Sequence, residues 1–67
     1  MEEDLASGVV VPGALAGMRL DRAVALLTDL SRAEAGRLVD EGAVLLGGRP
    51  VTERSRRVRA DERLSVD

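Results

Sequence analysis

The 67-residue chain contains no cysteine, no histidine and no aromatic residue, and all ten basic residues are arginine. Without cysteine there is no disulfide framework, thiolate nucleophile or cysteine zinc site. Without histidine the commonest general base and metal ligand are missing, and without lysine no Schiff base can form. Without aromatic rings no nucleotide base can stack on Phe, Tyr or Trp. This inventory suits a binding module, so we expect no catalytic residue, no cofactor and no metal.

Length and hydropathy further limit the fold and the functions that the chain can have. A domain of this size buries only about 60% of its unfolded surface and cannot enclose a substrate cavity of the usual ~300–1,000 Å³. Hydrophobic residues make up 45% and charged residues 33%, which favours a globular fold over a disordered chain. No apolar run reaches the roughly 18 residues of a membrane span, and no signal peptide pattern opens the chain. We therefore expect a cytoplasmic protein with no membrane contact.

The net charge of −2 conceals an uneven distribution of charge along the chain. Residues 1–18 carry three acidic residues and no basic one, and residues 60–67 carry three acidic residues and one arginine. Residues 19–59 carry nine arginines against six acidic residues, so this middle part is mildly basic. Arginine binds phosphate through a planar fork of N–H groups, although an arginine-only composition can also reflect a GC-rich coding sequence.

The pattern predicts a disordered acidic N-terminus over residues 1–8 and one domain over residues 9–67. A first helix is expected to start at Asp21, whose carboxylate can cap free N–H groups. Its apolar stripe consists of Leu20, Ala23, Val24 and Leu27.

A second helix has clearer boundary signals. Ser31 followed by Glu34 matches the capping box, and Gly42 is typical of a helix C-terminus. Gly36 lies in the middle of this helix, where glycine costs about 1 kcal/mol relative to alanine. We interpret it as a neutral surface glycine; the alternative is close approach of a ligand.

After Gly42 the apolar period changes from 3.6 to 2, which predicts strands. Gly47-Gly48 predicts a tight hairpin turn, Pro50 predicts an edge strand, and Asp61-Glu62 predicts a second turn. The fold class is therefore α+β, with two helices packed on a small antiparallel sheet. The predicted core positions are Leu20, Val24, Leu27, Leu38, Val39, Val44, Leu46, Val51, Val58, Leu64 and Val66.

The two helices with their short turn allow three interpretations. A DNA-binding helix-turn-helix is disfavoured, because the exposed face of the second helix shows three acidic residues around Arg37. The helices could be purely structural, or the start of the second helix, next to Arg32, could bind an anion. Arg37 could instead pair with Glu34 or Glu41 on its own helix.

The remaining charged clusters have simpler interpretations. The loop that contains Arg54, Arg56 and Arg57 could extend a positive surface, but a solvated loop is the preferred interpretation. The acidic pairs Asp40-Glu41 and Asp61-Glu62 do not converge on one point and have no cavity that could raise a pKa.

An ordered set of positions resembles the S4 RNA-binding domain, also called the alpha-L motif, over roughly residues 18–67. The set comprises Arg19-Leu20-Asp21, Ser31-Arg32, Ala35, Leu38-Val39, Gly42, Val44, Gly48, Val51, Ser55, Val58 and Leu64-Ser65-Val66. With Val11-Pro12 and Gly17 in front, it resembles the N-terminal domain of large pseudouridine synthases that modify ribosomal RNA. This resemblance implies an RNA-docking module whose catalytic domain, with its aspartate, lies beyond residue 67.

The resemblance also implies an RNA-binding surface at the start of the first helix, the first half of the second helix and the hairpin. The residues at these places are Arg19, Arg22, Ser31, Arg32, Arg37 and Arg49. Two turns depart from the family pattern: Gly47-Gly48 replaces Asn-Gly, and Asp61-Glu62 replaces Gly-Asp. The overall acidity predicts weak RNA affinity for the isolated module.

Two alternatives remain open. The chain could be a protein–protein or intramolecular docking domain without RNA contact, with an exposed apolar patch on Leu26, Leu30 and Leu45. It could also be the same RNA module from a different parent protein, since tyrosyl-tRNA synthetases, rRNA methyltransferases and a heat-shock ribosome-binding protein carry similar modules.

Overall fold

The structure is a computed structural model that describes residues 8–67. The expected acidic N-terminus, residues 1–8, lies outside the described residues except for Gly8. Two helices pack against each other and cover one face of an antiparallel sheet, which confirms the α+β fold class. The elements are β1 (Val9–Val10), a 3₁₀ turn (Gly13–Leu15), α1 (Leu20–Leu27), α2 (Arg32–Asp40), β2 (Val44–Leu46), β3 (Arg49–Pro50) and β4 (Arg63–Val66).

The sheet has the strand order β1-β4-β2-β3, and every neighbouring pair is antiparallel. Gly47 and Gly48 join β2 to β3 with φ angles of 60° and 83°, which only glycine adopts without steric cost. The predicted hairpin is therefore confirmed. Strand β3 lies at the edge of the sheet, as Pro50 predicts.

The two sheet faces differ in character. Leu46 and Leu64 are opposite each other in the β2–β4 pair, and both are buried under the helices. Because side chains alternate along a strand, Arg63 and Ser65 project from the other, outer face. The buried core consists of Val11, Leu20, Ala23, Val24, Ala35, Val39, Val44, Leu46, Val58 and Leu64. The predicted core residues outside this set, including Leu27 and Leu38, pack against it while partly exposed.

Helix α1 starts at Leu20, one residue before the predicted start, so Asp21 lies in the first turn rather than at the N-cap position. Its carboxylate still accepts one free helix N–H, that of Arg22, at 2.8 Å. The backbone N–H groups of Leu20 and Asp21 donate instead to the carbonyls of Arg56 and Arg54, at 2.8 and 3.2 Å. A segment more than thirty residues later in the chain thus satisfies the helix start, and local sequence carries no signal for that. Asp21 itself is buried in the first turn.

Helix α2 has the predicted capping box. The Ser31 hydroxyl accepts a hydrogen bond from the Glu34 backbone N–H at 3.1 Å, and the Glu34 carboxylate accepts one from the Ser31 N–H. Gly42 follows the helix with a φ angle of 79°. The interpretation of Gly36 as a surface glycine is wrong, because Gly36 is buried beneath the Arg54 side chain.

The turn before β4 takes an unusual backbone conformation. Asp61 has a φ angle of 71°, the only positive value for a non-glycine residue within residues 8–67. Its N–H donates to the Val11 carbonyl at 3.0 Å, while the Val11 N–H donates to the Glu62 carbonyl at 2.7 Å. This pair of bonds ties the turn to Val11, the residue that follows β1, and holds Asp61 in the left-handed region. Within the same described range, no helix is long and apolar enough to cross a membrane.

Candidate nucleic-acid interface

The start of α1 carries two arginines, of which Arg19 is held by a carboxylate and Arg22 is not. Arg19 donates from Nε and Nη2 to the two carboxylate oxygens of Asp21, at 3.1 and 3.0 Å. The Asp21 side chain is 7% exposed, whereas that of Arg19 is 42% exposed, so a buried carboxylate holds a guanidinium at the surface. Arg22 is exposed, and its guanidinium makes none of the ion pairs formed within residues 8–67.

Helix α2 contributes three of the predicted residues in three different settings. The Ser31 hydroxyl serves the capping box and also donates to Glu34 Oε1 at 3.2 Å. The hydrogen bonds from the Ser31 N–H and hydroxyl lower the pKa of Glu34, with a smaller contribution from the charge of Arg37. Arg32 is exposed and lies one helical turn before Gly36, on the stripe of α2 that faces Arg54.

Arg37 lies on a different stripe of α2. Together with Glu34, Leu38 and Glu41 of the helix, and with Leu30, it lines a shallow groove of about 270 Å³. Arg37 makes none of the ion pairs formed within residues 8–67. Two carboxylates, those of Glu34 and Glu41, nevertheless border the groove beside Arg37.

Arg49 extends the surface from the hairpin. It is paired with Leu46 across the β2–β3 ladder, and side chains of directly paired residues project to the same face of a sheet. Because Leu46 lies under the helices, Arg49 projects to the helix side of the sheet, at its exposed edge. Arg63 projects to the opposite face, where its Nη1 donates to the Gly8 carbonyl at 3.3 Å.

The arginine-rich loop is structured by ion pairs. Arg54 donates from Nε and Nη2 to Asp40 at 2.9 and 2.6 Å, and Arg56 donates from Nη1 and Nη2 to Glu62 at 2.8 Å each. These hydrogen bonds lower the pKa of both carboxyl groups and raise the pKa of both arginines. Arg57 differs, because its Nη1 donates to the backbone carbonyl of Gly17 at 3.1 Å.

Arg54 joins the two helices at this surface. Its carbonyl accepts from the Asp21 N–H, while its guanidinium lies on Gly36 of α2. The structure thus places Arg19 and the Arg32 stripe on either side of this loop, with Arg37 beside the groove and Arg49 at the hairpin. Arg57 was assigned with Arg54 and Arg56 to a solvated loop, and the sequence carries no local signal that separates it from them. It is distinguished by its long-range pairing with Arg19.

An apolar surface is also present. Leu26 is 58% exposed on α1, and Leu30 and Leu45 are partly exposed. Leu30 lines the groove beside α2, whereas Leu45 projects to the outer sheet face, since its neighbours Val44 and Leu46 are buried. The three leucines therefore do not form one patch.

Comparison with known proteins places the chain in a family. The S4 domain family matches residues 18–64. Two relatives, from Mycobacterium bovis and Mycobacterium tuberculosis, are each named an uncharacterized RNA pseudouridine synthase and are 50% identical to this chain over 48 residues. The aligned stretch covers 72% of this chain but only 16% of the length of each relative. Because the family match extends over more than half of the residues, the chain belongs to the S4 domain family.

Proposed function

We propose that this chain docks structured ribosomal RNA and positions it for a pseudouridine synthase catalytic domain outside these 67 residues. Membership of the S4 domain family supports RNA as the partner. The names of the two relatives support the isomerase, which converts uridine to pseudouridine. On this proposal residues 9–67 are the RNA-binding domain of a cytoplasmic enzyme, and its catalytic residues are not among them.

The observation that carries the proposal is a set of exposed arginines that stand outside the ion pairs of residues 8–67. Arg22, Arg32, Arg37 and Arg49 make none of the ion pairs formed within residues 8–67. Exposed guanidinium groups on two helices and a hairpin suit phosphate contacts and recognition of RNA shape. The proposed RNA-binding residues are Arg19, Arg22, Ser31, Arg32, Arg37 and Arg49.

Arg32→Glu with Arg63→Glu as its control tests this assignment. Both changes reverse one arginine charge, but Arg32 lies on the helix side and Arg63 on the outer sheet face. Binding of a ribosomal RNA fragment, measured by fluorescence anisotropy at several salt concentrations, should weaken more in Arg32→Glu. The salt dependence of its affinity should fall by roughly one unit of slope, because one phosphate contact is lost.

Two results would contradict the proposal. Equal losses of affinity in the two variants would mean that the binding surface is not on the helix side. No binding at low salt, or binding that salt does not weaken, would favour a docking domain without RNA contact. Because other enzymes carry similar modules, the activity is tested separately, by assaying the parent enzyme for pseudouridine formation with and without residues 9–67.

A further inference from the structure

Arg19 and Arg57 lie side by side because the backbone pairs them. The Leu20 N–H donates to the Arg56 carbonyl at 2.8 Å, and the Val58 N–H donates to the Met18 carbonyl at 2.9 Å. These two bonds flank an isolated antiparallel bridge between Arg19 and Arg57. In such a non-hydrogen-bonded pair the Cα atoms are only about 4.5 Å apart, and the side chains start from the same face. Two like charges placed opposite each other in this way destabilise a fold.

The neighbouring carboxylate compensates only one of these charges. Both oxygens of Asp21 bind Arg19, and Oδ1 also accepts from the Arg22 N–H at 2.8 Å. Asp21 is buried, so little of its carboxylate is accessible to other groups. Within residues 8–67, Arg57 makes no ion pair, and its hydrogen bond to the uncharged Gly17 carbonyl leaves its charge in place.

Both guanidinium groups keep unused donors and are held in place. A guanidinium has five N–H donors, and Asp21 engages Arg19 only through Nε and Nη2. The Nη1 group of Arg19 therefore remains available beside the exposed Arg57. The bond from Arg57 to Gly17 and the bonds from Arg19 to Asp21 fix the two side chains before any ligand binds, which reduces the entropy lost on binding.

We propose that Arg19 and Arg57 together bind one phosphodiester group of the RNA. The inference rests on the proposed function and adds Arg57 to its surface. A phosphodiester carries one negative charge and two free oxygens, which matches the one uncompensated positive charge and the donors of two forks. Binding relieves the repulsion between the two arginines, so this subsite orients the RNA backbone at the start of α1.

Arg57→Gln tests the inference, with Arg59→Gln as the matched control. Arg59 is exposed, lies two residues further along and carries the same charge, but it is not paired with Arg19. Changing Arg19 itself would leave the buried Asp21 carboxylate without its guanidinium partner and could destabilise the fold. Arg57 is therefore the better position for the test. We expect Arg57→Gln to weaken binding of the ribosomal RNA fragment roughly tenfold, and Arg59→Gln less than about twofold. Equal effects in the two variants would overturn the inference while leaving RNA binding by the chain intact.

A second measurement does not depend on RNA binding. Inorganic phosphate is titrated into the 67-residue chain while NMR follows the Nε–Hε signals of Arg19 and Arg57. We expect both signals to shift with one saturation curve, and the Arg19 shift to be lost in Arg57→Gln. Signals that do not move, or an Arg19 shift that persists in Arg57→Gln, would overturn the paired site. If phosphate binds the pair but no RNA binds the chain, the subsite stands and the proposed function fails.

Discussion

The guanidinium of Arg54 lies directly on the backbone of Gly36. A Cβ atom added at position 36 would come within 2.6 Å of Arg54 Nη1 and 2.7 Å of its Cζ. The absence of a side chain at Gly36 thus leaves room for Arg54 against α2. From there Arg54 reaches Asp40, one turn further along the helix. This contact ties the arginine-rich loop to α2.

Gly36→Ala is expected to separate Arg54 from Asp40 with little net change in stability. Alanine favours the helix by about 1 kcal/mol, and the displaced atoms belong to the flexible end of an exposed side chain. Because the hydrogen bonds from Arg54 lower the pKa of Asp40, that pKa should rise toward its ordinary value. An NMR pH titration of Asp40 and chemical denaturation measure the two effects. In an Arg54→Gln background the same change should stabilise by the full ~1 kcal/mol; an Asp40 pKa that stays low in Gly36→Ala would contradict this account.

Ser31→Ala should lower stability by about 1 kcal/mol, because it removes the cap of α2. Ser31→Thr keeps a capping hydroxyl and should lose much less. The pair also separates the two roles of Ser31: if it only caps the helix, RNA affinity measured where both variants are fully folded will not change. A loss of affinity in Ser31→Ala under those conditions would show that the hydroxyl contacts RNA.

Asp61→Gly is expected to raise the free energy of unfolding by roughly 1 kcal/mol. Asp61 holds a φ angle of 71°, where a Cβ atom is strained and glycine is not. Ala60→Gly is the control in the same turn, because Ala60 lacks a positive φ and glycine there only adds freedom to the unfolded chain. Urea denaturation compares the two. Destabilisation by Asp61→Gly would show that the carboxylate stabilises the turn more than the backbone strain disfavours it.

Stability should be nearly constant from about pH 6 to 10, because the chain has no His, Cys, Lys or Tyr and only the terminal amine titrates there. Arg56 and Arg54 lower the pKa of Glu62 and Asp40 in the folded state, so the unfolded state binds more protons in acid. Stability is therefore lost as the pH falls from about 5 through the folded-state pKa values. Urea midpoints at pH 3 to 9 measure this, and Glu62→Gln should flatten the acid limb. Stability that increased on acidification would contradict the assigned ion pairs.

Features set by neighbouring residues were predictable from the sequence. The Ser31–Glu34 capping box, the end of α2 at Gly42 and the Gly47-Gly48 turn each depend on a few adjacent positions. The alternation that follows Gly42 correctly predicts which strand residues face the helices. The two-helix, one-sheet architecture follows from these signals.

Features set by distant residues were not predictable. Asp21 has the residue type and position of a helix cap, but the carbonyls of Arg54 and Arg56 already occupy the helix start. The sequence around Gly36 predicts an ordinary exposed helix position, and only the tertiary structure shows that Arg54 covers it. For the candidate site, the sequence predicts that the arginines are exposed. Which of them form ion pairs depends on tertiary contacts and could not be predicted.

The completion of α1 by a late segment has a consequence for folding during synthesis. The N–H groups of Leu20 and Asp21 find their acceptors only after residues 54–56 have left the ribosome. Until then the amino end of α1 must remain solvated or frayed, and α2 with its hairpin can form first. During synthesis α1 is therefore expected to be completed late, so a nascent chain arrested before residue 54 would lack a stable first helix.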